Sequence, residues 1–365
     1  MIYLFGFIIL FIIIIFSFFL GWGKLNYTTD ESFTPSVSVV IALRNEEHQV
    51  NRLLNNLRNL DYPDDLVQYI LVNNHSTDNT FNLLLDNKSV NFKIINMHEG
   101  HFGKKQAIAK GVSIADGDII VTSDADCSFN KNWIKKMVSY YHNNNVKLVA
   151  GPVVFQNQSG IFHLFQNLEF LSLIGSGAGA IGQKKAIFCN AANMSFKKNV
   201  FLELNKYSSE IASGDDVFLL HKIKAKYPNG IVFAKNKEAI VETIGSKNIF
   251  QFFNQRIRWT AKSTSYSDVD ALFVSIIVFA TNFFGVFFII LSIIDISFLS
   301  YLILYFSIKS ILDLLLLSKV LNFFDRKYLI KWVLPFQILY SIYIVFIVVY
   351  SFIFSFEWKG RKYSK

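Results

Sequence analysis

Asp124-Ala125-Asp126 closes the run of residues 118–123, so two carboxylates one residue apart leave the C-terminal end of an expected strand, where open α/β sheets bind ligands. Residues i and i+2 of a strand point to one side, and two hard oxygen donors so placed suit Mg²⁺ or Mn²⁺ carrying a diphosphate. A solvated acidic turn is the plainer alternative. Ser213-Gly214-Asp215-Asp216 precedes a helical pattern through Phe218, Leu219, Leu220 and Ile223. Its acids therefore sit at a helix N-terminus, where the dipole favours carboxylate, although an ordinary N-cap has the same pattern. Gln255-Arg256-Ile257-Arg258-Trp259 lies in an aromatic and basic stretch, residues 250–262, suited to an interfacial amphipathic helix with Trp and Arg at the headgroup level.

These residues need elements to hold them. Residues 37–43 form a β-branched run that reads as a buried parallel strand, and Arg44-Asn45-Glu46-Glu47 opens a helical pattern through Leu53, Leu54 and Leu57. The unit recurs: a strand at 69–72 before Ser76-Thr77-Asp78 and a Leu-rich helix, a strand at 92–95 before a helix at 104–115, then the strand that ends at Asp124. Such alternation means a parallel sheet with helices on both faces. After Asp126 it loosens into a helix at 133–141, a strand at 147–154 and an apolar helix at 162–173. Gly175-Ser176-Gly177-Ala178-Gly179 follows, read as a closely packed small-residue turn near the bilayer rather than a phosphate cradle. Neither G-x-G-x-x-G after the first strand nor G-x-x-x-x-G-K-[ST] occurs, so dinucleotide and P-loop chemistry have no support and a phosphate would be held through metal.

Apolar density at both ends makes this a membrane protein. Residues 2–20 are long enough to cross the bilayer as a helix, and the exit Gly21-Trp22-Gly23-Lys24 lacks a cleavage signature, which favours a signal anchor. Residues 271–294, 298–317 and 333–356 are three further candidate spans. The net charge of +9 needs no nucleic acid, because many basic residues flank the spans, where they mark the cytoplasmic side and attract anionic lipid. Cys127 and Cys189 are the only cysteines. They are too few for a disulfide framework and read as buried packing residues on a reducing cytosolic face. With Lys24 cytosolic, three later spans leave Lys359, Arg361, Lys362 and Lys365 outside, against the positive-inside rule. Either the tail escapes it or residues 298–317, with Lys309 and Asp313 at their middle, are re-entrant or interfacial. Those two side chains are four apart on one helical face and could pair within the bundle.

Taken in order, the motifs resemble the membrane-bound family 2 glycosyltransferases, the branch of cellulose, chitin and hyaluronan synthases and glycolipid-forming relatives. The resemblance covers roughly residues 35–259 and adds Gly103-Lys104-Lys105-Gln106-Ala107 and Cys189-Asn190-Ala191-Ala192-Asn193-Met194 to the segments above. It implies an α/β, GT-A fold, a Rossmann-like and mostly parallel cytosolic domain with one N-terminal and about three C-terminal transmembrane helices. The expected layout is a signal anchor over 1–23, the GT-A domain over 24–248, an interfacial segment with Gln-x-x-Arg-Trp over 249–269 and a transmembrane region over 270–365.

By position, the resemblance makes Asp216 the general base of an inverting transfer and Asp215 its positioning neighbour. Asp126 becomes the direct ligand of Mg²⁺ or Mn²⁺, with Asp124 contributing to the metal and to the ribose and diphosphate. Glu46, Asn73, Asn74, Lys104 and Asn193 are the other donor-binding candidates. Gln255, Arg256, Arg258 and Trp259 are placed on the diphosphate and acceptor. Asn73-Asn74-His75 departs from the family's usual Asp-Asp, and an amide offers a nucleobase a different hydrogen-bond face from a carboxylate. The implied function is metal-dependent transfer of a sugar from a nucleotide donor, UDP-sugar first and GDP- or dTDP-sugar behind it, to a membrane lipid or growing glycan. It takes place at the cytosolic face of the inner cell membrane. The alternatives are a processive polysaccharide synthase subunit, for which three C-terminal spans are few unless chains assemble as a homo-oligomer or synthase complex, and a catalytically silent nucleotide-binding partner.

Overall fold

The computed structural model describes residues 2–87, 89–98, 103–205, 216–263, 265–353, 356–358 and 361–363. They separate into two units. One comprises Gly23–Gln156 and Ala180–Ile244; the other comprises Met1–Trp22, Asn157–Gly179 and Gly245–Lys365.

The first unit is built on strands β1 (Val37–Leu43), β2 (Val67–Asn73), β3 (Phe92–Asn96), β4 (Ile119–Ser123), β6 (Leu148–Ala150), β8 (Met194–Lys197) and β9 (Ile231–Phe233), in the order β3-β2-β1-β4-β8-β6-β9. Only β8 runs antiparallel to its neighbours. Val39, Val40 and Ile41 of β1 are fully buried, as a central strand with helices on both faces requires. Helices α2 (Glu47–Arg58), α3 (Thr80–Asp86) and α4 (Lys104–Ser113) alternate with the first four strands, as the sequence pattern implies. α2 turns Val50, Leu53, Leu54 and Leu57 to the core. Gly103, the N-cap of α4, has φ 112°, a conformation that glycine adopts without strain. Helices α5 (Trp133–Val138), α7 (Lys198–Asn205) and α8 (Asp216–Lys226) complete this unit.

A second, three-stranded sheet has the order β5-β10-β7, formed by β5 (Ser128–Phe129), β7 (Val153–Phe155) and β10 (Val241–Thr243). The single strand expected over 147–154 is therefore two strands in two sheets. The break falls at Gly151-Pro152, where proline has no N–H for the ladder and the Gly151 N–H donates to the Asn193 carbonyl.

Apart from an antiparallel pair of strands, β11 (Phe356–Trp358) and β12 (Arg361–Tyr363), the second unit is helical: α1 (Ile2–Gly23), α6 (Ile161–Gly182), α9 (Ile249–Ser263), α10 (Val269–Ile294), α11 (Leu299–Phe323) and α12 (Val333–Ile353). Residues 157–179, which lie inside the expected stretch 24–248, group with these helices. Among the described residues, four segments are long and apolar enough to cross a membrane: Gly6–Gly23, Val269–Ile294, Ile296–Phe323 and Lys327–Ile353. The Gly175–Gly179 stretch is not a turn but part of α6. A Cβ on Gly175 would lie 2.5 Å from Val320, and one on Gly179 would lie 2.5 Å from the Phe18 carbonyl oxygen. The small residues thus let three helix backbones approach closely. α11 runs unbroken through Lys309, which is 1% exposed. The Lys309 ammonium donates to Asp313 at 2.8 Å and to Gln337 of α12 at 2.7 Å, and Gln337 donates to Asp313 at 2.8 Å. The expected pair has become a closed triad, consistent with the rule that charges inside a membrane bundle find partners.

Candidate functional site

β4 ends at Ser123, so Asp124 and Asp126 emerge at its C-terminal edge as the spacing implies. The Lys104 ammonium, from the first turn of α4, forms an ion pair with Asp124. Burial pulls this amine's pKa down, but the adjacent Asp124 carboxylate more than compensates and holds it above the ordinary lysine value. Asp216 also lies within electrostatic reach of Lys104, which brings the base candidate to the same edge of the sheet.

The link between β4 and Asp216 is a single short turn, Ala191–Asn193. Thr122 and Ser123 hydroxyls donate to the carbonyls of Ala191 (3.0 Å) and Ala192 (2.7 Å), and the Ala191 N–H donates to Asp216 Oδ2 at 2.8 Å. The Val217 N–H adds a second bond to Oδ1 at 3.0 Å. A carboxylate at the start of α8 is thus fixed by backbone donors at the positive end of a helix.

Asp126 is held differently. Its Oδ2 accepts from the Thr243 hydroxyl at 3.0 Å, and its carbonyl accepts from Arg52 Nη2 at 2.6 Å. Burial raises the carboxyl's pKa, the nearby Asp124 charge raises it further, and the Thr243 bond partly opposes both. The raised proton affinity of Asp126 beside the Asp124 charge marks an oxygen donor set that a divalent cation would relieve. Among the described residues no group of three His, Cys, Asp or Glu side chains could hold a metal. The fit is therefore to an ion bound by one or two carboxylates with phosphate oxygens and water completing its shell, as Mg²⁺ and Mn²⁺ accept.

The sign of the Asp126 shift gives a testable result. A carboxyl whose folded pKa is raised keeps its proton to higher pH than in the unfolded chain, so folding carries no penalty below the unfolded value and a growing one as pH climbs through the folded value. In chelator, Asp126→Asn is expected to melt above wild type at neutral pH and to match it in acid. A melting temperature at or below wild type at neutral pH would contradict this.

Several of the other candidates are engaged within the protein itself. Asn193 is 0% exposed. Its Oδ1 accepts from Trp133 Nε1 at 2.9 Å, and its Nδ2 donates to the carbonyls of Pro152 at 2.8 Å and Ala239 at 2.7 Å. With its amide spent on three segments, it acts as a structural hub. Asn193→Ala leaves those three groups unpaired, at about 1–3 kcal/mol each, so a loss of at least about 3 kcal/mol is expected in chemical denaturation, with UDP affinity of the folded fraction unchanged. Asn73 and Asn74 are 3% and 2% exposed. Asn73 donates to Asn96 at 2.7 Å, and Asn74 Oδ1 accepts from the Gly103 N–H at 3.4 Å. Both brace the loops at the ends of β2 and β3. Glu46 caps the start of α2, its N–H donating to Thr80, and its charge reaches Asp126. Asp215 lies outside the described residues.

Arg256 faces the interior. It is 2% exposed and forms a two-pronged pair with Glu169 of α6, Nε to Oε1 at 2.9 Å and Nη2 to Oε2. Its Nη1 donates to Gln255, and its guanidinium stacks 4.6 Å from the Phe252 ring centroid and 4.3 Å from that of Trp259. Tyr343 also donates to Glu169. Arg256 is therefore committed to anchoring α9 on α6, with Gln255 accepting from its Nη1. Arg258 and Trp259 share the same helix and are half-buried. Sequence reading missed Thr243, Arg52 and Glu169. Only Glu169 carried a signal, a lone carboxylate in an apolar helix.

Residues 38–204 match the family model described as glycosyl transferase family 2. A poly-beta-1,6-N-acetyl-D-glucosamine synthase of Staphylococcus epidermidis is 26% identical over 237 residues, covering 61% of this chain and 53% of that protein. Glycosyltransferase AglE of Haloferax volcanii is 25% identical over 197 residues, covering 51% of this chain and 60% of the relative. The matched region spans about half the length of the curated relatives. A mannosyltransferase from Pyrobaculum calidifontis, solved in complex with GDP-Man and Mn²⁺, has a similar fold, with a TM-score of 0.59 over 96% of both chains at 16% identity. The mostly parallel sheet that carries the acidic pair at its β4 edge falls largely within this matched range, so residues 38–204 hold a family 2 glycosyltransferase domain, and the fold is GT-A.

Proposed function

We propose that the chain transfers a hexosyl unit, with inversion, from a nucleotide sugar to a hydroxyl of a membrane lipid or growing glycan at the cytosolic face of the inner cell membrane, using Mg²⁺ or Mn²⁺. The carrying observation is that Lys104 joins Asp124 by an ion pair and reaches Asp216 electrostatically, so the acidic pair and the base candidate converge at one strand edge.

Asp126 and Asp124 would hold the cation, which supplies charge neutralisation for the departing nucleoside diphosphate. Asp216 takes the proton from the acceptor hydroxyl as its oxygen bonds to the anomeric carbon. The anomeric bond to the diphosphate breaks on the opposite face, hence inversion. Lys104 keeps positive charge beside the same edge, where negative charge develops. Contacts of Arg258 and Trp259 to diphosphate and acceptor are assigned on the Gln-x-x-Arg-Trp motif. A UDP-sugar is the first donor choice, and the GDP-Man complex of the mannosyltransferase keeps GDP-sugars in consideration. The synthase relatives support a growing glycan as acceptor beside lipid.

The test is release of nucleoside diphosphate from UDP-, GDP- and dTDP-sugars by the protein in native-like membranes, with Mn²⁺ and with chelator. Metal-dependent release from one donor supports the reading and names that donor. Release from none, with lipid extracts supplied, would leave the silent-partner alternative standing.

A further inference from the structure

The assignment of Asp126 to the metal leaves open what aims its carboxylate. A side chain just beyond a strand end can occupy several staggered rotamers, and a ligand free to choose among them binds more weakly than one already oriented. Here two residues outside every motif close on Asp126 from different elements. Thr243, the last residue of β10, gives its hydroxyl to Oδ2 at 3.0 Å. Its own backbone is fixed, because its carbonyl accepts from the Gln156 N–H at 2.9 Å and it pairs in register with Phe155 of β7. Arg52 of α2 reaches the Asp126 carbonyl with Nη2 at 2.6 Å. One turn further along α2, Asn56 Nδ2 lies 3.5 Å from the Cys127 carbonyl.

We propose that Thr243 and Arg52 are positioning residues for the metal ligand Asp126, the hydroxyl setting the carboxylate's rotamer and the guanidinium setting the backbone that carries it. Outer-shell partners of this kind typically account for about 10- to 100-fold in metal affinity. The hydroxyl uses one acceptor position on Oδ2 and the Cys127 thiol lies 3.9 Å from Oδ1, which leaves the remaining lone pairs of both oxygens for a cation. Neither residue touches substrate in this role.

This inference rests on the metal reading of the preceding section, and the experiment separates the two. Mn²⁺ affinity is measured by electron paramagnetic resonance in the presence of UDP for wild type and for Asp126→Asn, Thr243→Val, Thr243→Ser and Arg52→Gln. Thermal melting and UDP binding in chelator are recorded alongside. Thr243→Val keeps the shape and loses the hydroxyl, and Thr243→Ser keeps the hydroxyl. The expected result is Mn²⁺ binding in wild type, its loss in Asp126→Asn, weakening by about 10- to 100-fold in Thr243→Val and Arg52→Gln, and near-wild-type affinity in Thr243→Ser. Wild-type Mn²⁺ affinity in Thr243→Val and Arg52→Gln, with Asp126→Asn defective, overturns the positioning role alone. Equal Mn²⁺ binding in wild type and Asp126→Asn overturns the metal assignment itself, and this inference with it. A Thr243→Val protein that melts early leaves Arg52→Gln to decide, since it reads the same ligand from the opposite side.

Discussion

Asp216→Asn is expected to reduce sugar transfer by about 10²- to 10⁴-fold, the usual contribution of a general base, while UDP and Mn²⁺ affinities stay close to wild type. The substitution is nearly isosteric. An amide oxygen can still accept the Ala191 N–H that now bonds to Oδ2 at 2.8 Å, so the bracket from Ser123 through Ala192 to the start of α8 survives. What is lost is the ability to take a proton, together with the Val217 N–H bond to Oδ1. Initial rates of nucleoside diphosphate release at saturating donor read this directly, and calorimetric UDP binding controls for the fold. Transfer within about tenfold of wild type would show that Asp216 is not the base, and a parallel loss of UDP affinity would move it to donor binding.

Breaking the Glu169–Arg256 pair is expected to have the largest effect on stability. Both side chains are almost wholly buried, at 4% and 3% exposure. Arg256→Ala leaves the Glu169 carboxylate with Tyr343 as its remaining bond, and Glu169→Ala leaves a buried guanidinium facing Gln255 and aromatic rings. Removing one partner of such a pair costs about 3–5 kcal/mol, whereas replacing both with apolar residues of similar size is often neutral. The double substitution Glu169→Leu with Arg256→Met should therefore recover most of the stability lost by either single change. Denaturation of the purified protein in detergent, monitored by tryptophan fluorescence, gives the cycle. If Arg256→Ala melts like wild type and instead weakens UDP binding, the motif-based phosphate role was correct and the anchoring role is wrong.

The sequence by itself determined the elements whose burial is uniform or whose period is fixed. Residues 37–43 are a strand buried on both faces, so their apolar run was visible without a partner, and β1 occupies those limits. The long apolar helices were visible for the same reason. Asp124 and Asp126 were legible because they follow directly on the apolar run of β4, although both lie in the turn beyond the strand and not in it. The route of α6 was not: a glycine-rich stretch looks like a turn until Val320 and Phe18 are seen packed against it.

Tertiary structure alone decided which polar residues face inward. Arg256 and Arg258 are two residues apart, about 200° around a helix of 3.6 residues per turn, so they cannot share a face. Nothing local says which is core, and Glu169, 87 positions away, settles it. Thr243 lies 117 positions from Asp126 and carries no mark of its own until β10 pairs beside β5. Asn193 sits in a family-like segment, yet its amide is consumed by Trp133, Pro152 and Ala239. Hydrophobic periodicity describes where a chain buries apolar surface, but a buried hydrogen bond is specified jointly by two distant segments. Its partner exists only once the chain has folded.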